Sequence, residues 1–188
     1  MLRAFFAIGI GGEARREAAR LVECLRADPG CAAVRWSRPE GFHVTLRFLG
    51  PTPAARVPAL VEAVRGEVAG SAPFALALGA VGAFPDERRP RVVFVAVEPG
   101  APVAALAAAV ERGVVAAGFA PEPRPFHPHL TLGRVRDPRR RVRLPAATRP
   151  APAPFPVESL VLFRSQPSPA GSLYTPLAQI ALGGVASP

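Results

Sequence analysis

One short phrase, His-x-Thr-Leu, occurs twice in this chain and constrains its fold more than any other feature. It begins at His43 in GFHVTLRFLG and at His129 in FHPHLTLGRV, although the 188 residues include only three histidines. Both copies alternate between polar and apolar residues, which is the pattern of a half-buried β-strand. Helix and strand patterns separate the copies, as a duplicated lobe would require. The chain is therefore expected to hold two similar strands, each with one histidine.

The alternation predicts which side chains of each copy share a face, because successive side chains of a strand point to opposite sides. The polar face of the first copy is expected to present His43, Thr45 and Arg47, and that of the second copy His129 and Thr131. The apolar face of the first copy is expected to pack in the core, and its members are Phe42, Val44, Leu46 and Phe48. Two such strands across a cleft would pair two imidazoles with two hydroxyls.

This set of side chains suits metal-free displacement at phosphorus. The reaction needs a base for the attacking oxygen and an acid for the leaving oxygen, and imidazoles serve as either near neutral pH. His43 and His129 can therefore fill both positions. The hydroxyls of Thr45 and Thr131, together with Arg134 at the exit of the second strand, can hold the non-bridging phosphate oxygens and stabilise developing charge.

The rest of the chain predicts an α+β protein with mainly antiparallel strands, because several strand patterns follow one another through short turns. Strands are predicted at 2–10, 42–49, 73–80, 91–98, 129–135, 157–165 and 173–183. Pro176 interrupts the last of these and favours an edge strand or a bulge there. Helices are predicted at 13–27, around 60–68, and from Pro102 to Gly118. The stretches 71–74 and 144–156 are expected to be loops.

The charge of the chain favours a polyanionic partner. The formal net charge is +9, and all 23 basic residues are arginine, so long-range attraction assists encounter with nucleic acid. The absence of lysine also indicates a compositional bias, which accounts for part of the arginine content. The densest arginine cluster lies within 134–143, and Arg88, Arg89 and Arg91 form a smaller one. These clusters have two alternative interpretations: they contact the backbone of an RNA, or they are ordinary solvated loops.

Apolar runs and cysteines exclude two other classes of protein. The longest apolar runs fall far short of the roughly 20 residues of a membrane span, and the apolar start has no convincing cleavage site. A cytoplasmic protein is expected. Cys24 and Cys31 have the spacing of neither a metal pair nor a disulfide framework, so reduced thiols are expected.

Beyond these patterns, the chain resembles the 2H phosphoesterase superfamily, and within it the RNA 2',3'-cyclic phosphodiesterases also known as 2'-5' RNA ligases (the LigT or ThpR family). The similarity covers almost the whole chain, in RAFFAI, RWSRPEGFHVTLRFLG, GAFPDERRPRVVFVAV, RPFHPHLTLGRV and the segment 157–183. It implies a bilobal α+β fold in which two pseudo-two-fold related antiparallel sheets, flanked by helices, surround a central cleft. Residues 1–188 would form a single domain of two intertwined lobes.

The resemblance also implies an activity and a role for each motif residue. His43 would be the proton donor to the leaving O3', His129 the proton acceptor that activates water, and Thr45, Thr131 and Arg134 would bind the phosphate. The implied reaction opens an RNA 2',3'-cyclic phosphate to a 2'-phosphomonoester, without metal or cofactor. With an RNA 5'-hydroxyl in place of water, a 2'-5' ligation would be a secondary activity. A monomer that acts on RNA with such ends is expected.

Several alternatives stay open at this stage. A non-catalytic RNA-binding module, a metal-dependent phosphoesterase, and a phosphodiesterase for a smaller cyclic phosphate such as ADP-ribose 1'',2''-cyclic phosphate all fit parts of the pattern. His127 and His129 form a His-x-His pair, but further zinc ligands are not spaced to complete a site, so His127 is expected to shape the start of the strand or contact substrate. Phe126, Tyr174 and Trp36 are open candidates for stacking on a base.

Overall fold

The structure is a computed structural model that describes residues 1–137, 139–145, 148–151, 153–168 and 171–183. Its nine strands in these ranges are β1 (Leu2–Gly9), β2 (Val34–Trp36), β3 (His43–Thr52), β4 (Phe74–Phe84), β5 (Val92–Glu98), β6 (His129–Val135), β7 (Phe155–Val157), β8 (Ser159–Ser168) and β9 (Gly171–Ala181). The three α-helices are α1 (Gly12–Ala27), α2 (Val57–Val68) and α3 (Gly100–Ala116). Short 3-10 turns cover Pro29–Cys31, Pro39–Gly41 and Ala54–Arg56.

The strands form two antiparallel halves that meet at the two motif strands. One half has the order β3-β1-β8-β9, and the other has the order β6-β5-β4-β7, with β2 also paired to β6. The two halves join through a single paired position, Val44 with Leu130. The inner strand of each half therefore carries one His-x-Thr-Leu phrase, and the expected bilobal α+β fold is confirmed.

Each motif strand contains a β-bulge at the leucine of its His-x-Thr-Leu phrase. In the β1–β3 pairing, Ala7 lies opposite Thr45 and Phe6 opposite Arg47, so Leu46 is the extra residue. In the β5–β6 pairing, the same irregularity leaves Leu132 as the extra residue. A bulge shifts the alternation of side chains by one position. Strict alternation therefore holds only as far as the leucine in both strands.

The bulge in β3 corrects two expectations from the alternation pattern. Arg47 was expected beside His43 and Thr45, but it lies opposite the buried Phe6 and its side chain is only 10% exposed. Phe48 was expected in the core, but it is 50% exposed. Both errors have one cause, because the extra residue turns Arg47 toward the helices and Phe48 toward the opposite side of the sheet. Phe42, Val44 and Leu46, which precede the shift, are buried as expected.

The helices cover one face of the sheet, and the core lies between the helices and that face. Each helix buries an apolar stripe at helical spacing, such as Ala14, Ala18, Leu21, Val22 and Leu25 in α1. The core cluster is continuous and takes residues from both halves of the sheet. The opposite face of the central strands, called the open face below, carries His43, Thr45, His129 and Thr131. Within the described ranges, no helix is long and apolar enough to span a membrane.

Helices α2 and α3 approach each other closely at Gly113. A Cβ added there would lie 2.6 Å from Val64 Cα and 2.9 Å from the backbone oxygen of Ala63. We expect Gly113→Ala to lower the free energy of unfolding by about 1–3 kcal/mol, because the backbones must separate to admit the methyl group. Chemical denaturation measures this change.

Gly66 in α2 provides the matched control for Gly113. A Cβ there would meet nothing within 4 Å, so Gly66→Ala is expected to stabilise the helix by about 0.5–1 kcal/mol. Equal effects of the two substitutions would contradict the close approach of the helices.

Most sequence-predicted elements coincide with observed ones, and the differences are short. All seven predicted strands and three predicted helices are present, with shifted ends. Strand β9 is an edge strand with a register irregularity opposite Leu162 and Phe163, as Pro176 indicated. The prediction of a loop throughout 144–156 is wrong at its end, where β7 begins at Phe155 and pairs with β4. Positions 146, 147 and 152 of that predicted loop lie outside the described residues.

Candidate active site

The junction between β3 and β6 brings the two motifs together. In an antiparallel register through the Val44–Leu130 pair, His43 lies beside Thr131 and Thr45 lies beside His129. The paired apolar residues are fully buried, whereas the four polar residues around them are partly exposed. The open face therefore presents each histidine next to the threonine of the other motif. The sequence analysis expected the two motif strands to face each other across a cleft, whereas they are neighbours in one sheet.

The two imidazoles are held in the same way. The Nδ1 of His43 lies 2.7 Å from the backbone oxygen of Gly41, and the Nδ1 of His129 lies 2.7 Å from the backbone oxygen of His127. A carbonyl oxygen can only accept a hydrogen bond, so each Nδ1 carries the proton and donates it. In the neutral ring, Nε2 is then the nitrogen with the lone pair. Each histidine thus has a defined tautomer and one nitrogen available for proton transfer.

Burial and nearby positive charge lower the pKa of both histidines. The pKa of His43 falls to about 4, chiefly because burial disfavours the charged ring, with smaller contributions from the charges of His129 and Arg134. The pKa of His129 is also lowered, first by burial and then by the charges of Arg134 and His127. The charge of His129 acts on the pKa of His43, and the charge of Arg134 acts on the pKa of both histidines, so the three side chains lie in one site. In the absence of an anion, both imidazoles are neutral at pH 7.

Aromatic rings surround His43. Its ring centroid lies 4.8 Å from that of Phe5 and 4.9 Å from that of Tyr174, which meets it edge-on. The Tyr174 ring also covers Gly41, where an added Cβ would lie 3.2 Å from Tyr174 Cε2. Phe5 belongs to β1 and Tyr174 to β9, so two other strands of the same half-sheet contribute the rings that cover His43. Among the three aromatic residues proposed from sequence as base-stacking candidates, Tyr174 is the one that contacts a motif histidine.

Aromatic rings also border His129, but they come from the other half of the sheet. Its ring centroid lies 4.9 Å from that of Phe84 and 5.5 Å from that of Phe94, with both contacts near edge-on. Phe84 also lies 5.9 Å from the ring of His127. His127 therefore contributes a backbone oxygen to His129 and an aromatic contact at the beginning of the strand, in line with the shaping role expected for it.

Arg134 reaches the open face because of the bulge at Leu132. Gly133 takes the position on the buried side, where an added Cβ would lie 2.6 Å from Val34 Cγ1, and Arg134 is exposed. Arg35 of β2 lies directly opposite Arg134. The charge of Arg134 acts on both motif histidines. The site thus has a positively charged side next to the second motif.

Arg47 has a structural contact instead of a place on the open face. Its guanidinium bonds to Glu111 of α3, and its Nη1 lies 3.6 Å from Glu122 Oε2. Glu111 also accepts a 2.8 Å hydrogen bond from the backbone nitrogen of Glu122. This network ties β3 to α3 and to the segment that leads to the second motif.

The remaining sequence candidates lie away from the two histidines or have other contacts. Phe126 and Trp36 are partly buried and pack against the core. Arg88 and Arg89 are exposed in the β4–β5 turn, where their backbone nitrogens donate to the Asp86 carboxylate. In the part of the chain that the structure describes, no group of three or more His, Cys, Asp or Glu side chains could hold a metal ion.

Two antiparallel half-sheets that each present one His-x-Thr strand define the chain as a two-histidine phosphoesterase. A family model described as the 2'-5' RNA ligase superfamily matches residues 15–168, and the chain belongs to this family.

Similar proteins support this assignment over almost the whole chain. An RNA 2',3'-cyclic phosphodiesterase from Methanothermobacter thermautotrophicus is 32% identical over 93% of this chain and 95% of its own length. One from Thermus thermophilus is 32% identical over 97% of this chain and 91% of its own. The crystal structure of E. coli LigT complexed with 3'-AMP matches with a TM-score of 0.79 and 28% identity, and covers 96% of this chain and 98% of that chain.

Sequence reasoning missed several residues of the site. Phe5 and Phe163 look like ordinary members of buried strands, and the carbonyl acceptors at Gly41 and His127 leave no trace in side-chain identity. Phe48 was assigned to the wrong face. One sequence signal pointed to the correct face. Phe48 and Arg134 both stand five residues after a motif histidine, so the two positions correspond and are expected to lie on the same face.

Proposed function

We propose that this chain is an RNA 2',3'-cyclic phosphodiesterase that opens a terminal cyclic phosphate to a 2'-phosphomonoester. The observation that carries the proposal is the matched pair of imidazoles, each with Nδ1 bonded to a backbone oxygen two residues earlier. Two equivalent Nε2 atoms on one face fit a reaction that takes a proton on one side of phosphorus and gives one on the other. The family and the names of the relatives support the same substrate class.

The proposed chemical step uses one histidine on each side of the phosphorus. The Nε2 of His129 accepts a proton from water, and the water oxygen forms a bond to phosphorus. The bond between phosphorus and O3' breaks, and the protonated Nε2 of His43 donates its proton to O3'. The products are a 3'-hydroxyl and a 2'-phosphomonoester, with His129 protonated and His43 neutral. Proton exchange with solvent restores the starting state.

Three further side chains are proposed to hold the phosphate. Thr45 and Thr131 lie beside the opposite histidines, so their hydroxyls can donate to the two non-bridging oxygens. Arg134 adds a full positive charge from the side of the second motif. Donors that are fixed before the reaction stabilise the extra charge of a pentacoordinate phosphorus more than the charge of the substrate, and this difference lowers the barrier.

The pKa of His43 bears directly on its proposed role as the acid. At about 4 in the free protein, this pKa leaves the ring neutral at pH 7. A bound phosphodiester places a negative charge beside the ring, which offsets the repulsion from His129 and Arg134 and raises the pKa. His43 would therefore become a competent proton donor only when substrate is bound. The near symmetry of the site also allows the two histidines to exchange roles when the reaction runs in the opposite direction.

The lowered pKa values predict an acid-shifted dependence of kcat/KM on pH. Activity requires one protonated and one neutral imidazole, so kcat/KM falls above the higher pKa as the acid loses its proton, and below the lower pKa as the base gains one. Both pKa values lie below the ordinary 6.5. We expect a bell-shaped curve with both limbs below that value, measured from about pH 3 to about pH 8. A maximum above 6.5 would contradict the pKa directions of the free site.

The direct test of the proposed function uses a short RNA that ends in a 2',3'-cyclic phosphate. The purified protein is incubated with this RNA in the presence of EDTA, and phosphorus NMR assigns the position of the product phosphate. We expect complete conversion to a 2'-phosphate. A 3'-phosphate product would reverse the assigned leaving group, and turnover that EDTA abolishes would replace the two-histidine chemistry with a metal-dependent one.

The same active site also accounts for 2'-5' ligation as a secondary activity. If an RNA 5'-hydroxyl takes the place of water, the same displacement of O3' leaves phosphorus bonded to O2' and to the incoming O5'. Smaller cyclic phosphates, such as ADP-ribose 1'',2''-cyclic phosphate, are the alternative substrate class. Comparison of kcat/KM for RNA ends and for the smaller compound distinguishes them, and binding of both without turnover would indicate a non-catalytic module.

A further inference from the structure

A cavity lined by arginines lies beside β2, outside the candidate active site. It has a volume of about 440 Å³ and is bordered by β2, by the end of α1 and by the residue that follows β6. Each of these three places contributes one arginine to the lining, and the three are Arg26, Arg35 and Arg136. The rest of the lining is Trp36 and three uncharged residues of the segment 31–34, so no acidic side chain of the described residues lines the cavity. It is called the arginine cavity below.

Arg35 connects the arginine cavity to the open face. It lies directly opposite Arg134 in the β2–β6 pairing, and residues directly opposite each other in antiparallel strands present their side chains on the same face. Arg134 belongs to the active site, because its charge acts on the pKa of both motif histidines. Arg35 therefore lies between the expected position of the reacting phosphate and the cavity that it helps to line.

The other two arginines of the cavity can accept an anionic ligand. Arg136 is exposed, and its guanidinium forms no ion pair within the described ranges. Arg26 pairs with Glu23 at 2.8 Å, but both side chains are more than half exposed, and an exposed ion pair contributes little free energy. A guanidinium presents its N–H groups in a planar fork that matches the oxygens of a phosphate. A phosphate is therefore the ligand that the lining of the cavity fits.

The arginine cavity lies at a distance from the reacting phosphate that an oligonucleotide can cover. Arg136 stands five residues after Thr131, and a strand rises about 3.3 Å per residue, so the two backbone positions are about 15 Å apart. An RNA chain that continues beyond its terminal nucleotide can place its cyclic end at the histidines and an earlier phosphate in the cavity. Both places then bind parts of one molecule.

We propose that the arginine cavity binds an internal phosphodiester of the substrate RNA, one or two nucleotides before the cyclic end. This inference rests on the proposed function, because it takes the terminal phosphate to lie between the histidines. Arg134 then contacts the reacting phosphate, while Arg26 and Arg136 contact the internal one. Contacts with phosphates fix the position of a nucleic acid and do not depend on its bases, so the cavity serves RNA ends of any sequence.

The test removes the charge of one internal linkage at a time. The substrate is an RNA trinucleotide that ends in a 2',3'-cyclic phosphate, and each of its internal linkages is replaced in turn by an uncharged methylphosphonate. In the wild type, we expect one of these replacements to lower kcat/KM by about 5- to 30-fold, because it removes a hydrogen-bonded contact with a charged group. In the double variant Arg26→Gln and Arg136→Gln, the same replacement should lower kcat/KM by no more than about twofold, since the partners of the charge are absent.

The matched control is the double variant Arg65→Gln and Arg112→Gln. Both are exposed arginines that pair with a glutamate, and they belong to α2 and α3, which do not line the cavity. The control therefore removes the same net charge and should keep the full wild-type loss. The proposal is overturned if neither replacement lowers kcat/KM in the wild type, if the loss persists without Arg26 and Arg136, or if the control removes it equally.

A binding measurement separates this inference from the proposed function. The ligand is the same trinucleotide with a terminal 2'-phosphate, which requires no turnover. Trp36 lines the cavity and is the only tryptophan of the chain, so its fluorescence reports occupation of the cavity. A lower affinity of the methylphosphonate RNA for the wild type, absent in the double variant of Arg26 and Arg136, would uphold the inference even if the wild type hydrolysed no cyclic phosphate. That lack of hydrolysis would refute only the proposed function, whereas equal affinities of the wild type for all these RNAs would refute the inference.

Discussion

His43→Ala and His129→Ala are each expected to lower kcat for opening an RNA 2',3'-cyclic phosphate by about 10²–10⁴-fold, the range for loss of a general acid or base. Each ring places Nε2 on the open face and holds Nδ1 on a backbone oxygen, so its removal deletes one proton-transfer group. Both rings are only partly buried, and the folded structure should persist. Single-turnover kinetics and circular dichroism measure the two effects separately.

Two further variants sharpen this prediction. In His43→Asn, the side-chain amide can still donate to the Gly41 oxygen, but no atom replaces Nε2, so the loss should match that of His43→Ala. Recovery of activity in the asparagine variant would mean that His43 acts by its hydrogen bond and not by proton transfer. The double variant of His43 and His129 should lose little more than either single variant, because the acid and base act as a unit.

Arg134→Ala is expected to lower kcat by about 10²–10³-fold, as removal of one fixed donor to developing charge does in other active sites. It should also raise the pKa of both histidines, because the charge of Arg134 lowers the pKa of each. Titration of the imidazole protons by NMR measures these pKa values without substrate. A rise in the pKa of both histidines, together with a fall in kcat, would establish that Arg134 lies between the two motifs.

Arg140→Ala is the matched control for charge alone. Arg140 belongs to the same arginine-rich segment and is exposed, but it follows the strand and the turn at Asp137. The substitution removes one positive charge and should weaken only long-range attraction, an effect that salt suppresses. Equal losses for Arg134→Ala and Arg140→Ala, both removed by salt, would assign Arg134 to general attraction of RNA.

The sequence predicted the fold well wherever a single periodic pattern ran through a whole element. The buried stripe of α1 and the strand that begins at His129 both follow from periodicity within one segment. The short strands β2 and β7 were missed because three residues do not establish a period, and each is a strand only through its partner, β6 or β4. Pairing across the chain is the information that a local pattern lacks.

The same limit explains the site. The two His-x-Thr-Leu phrases identified the histidines and threonines, because residues before a bulge keep the regular alternation of faces. Phe48 and Arg47 were placed on the wrong faces because the bulge at Leu46 is a property of the β1–β3 pairing. The backbone oxygens of Gly41 and His127 could not be found from side-chain identity at all, since every residue has one.

The choice of a neutral backbone oxygen as the partner of each Nδ1 has a consequence for reversibility. A carboxylate at that position would favour the imidazolium form and commit the histidine to one protonation state. Gly41 and His127 instead orient their rings and add no charge. Each ring can then pass between donor and acceptor as the phosphate charge beside it changes, so bond formation and bond cleavage at phosphorus can share one catalyst. Substitution of a neighbouring side chain does not remove this property, because the hydrogen-bond acceptor of each Nδ1 belongs to the peptide backbone.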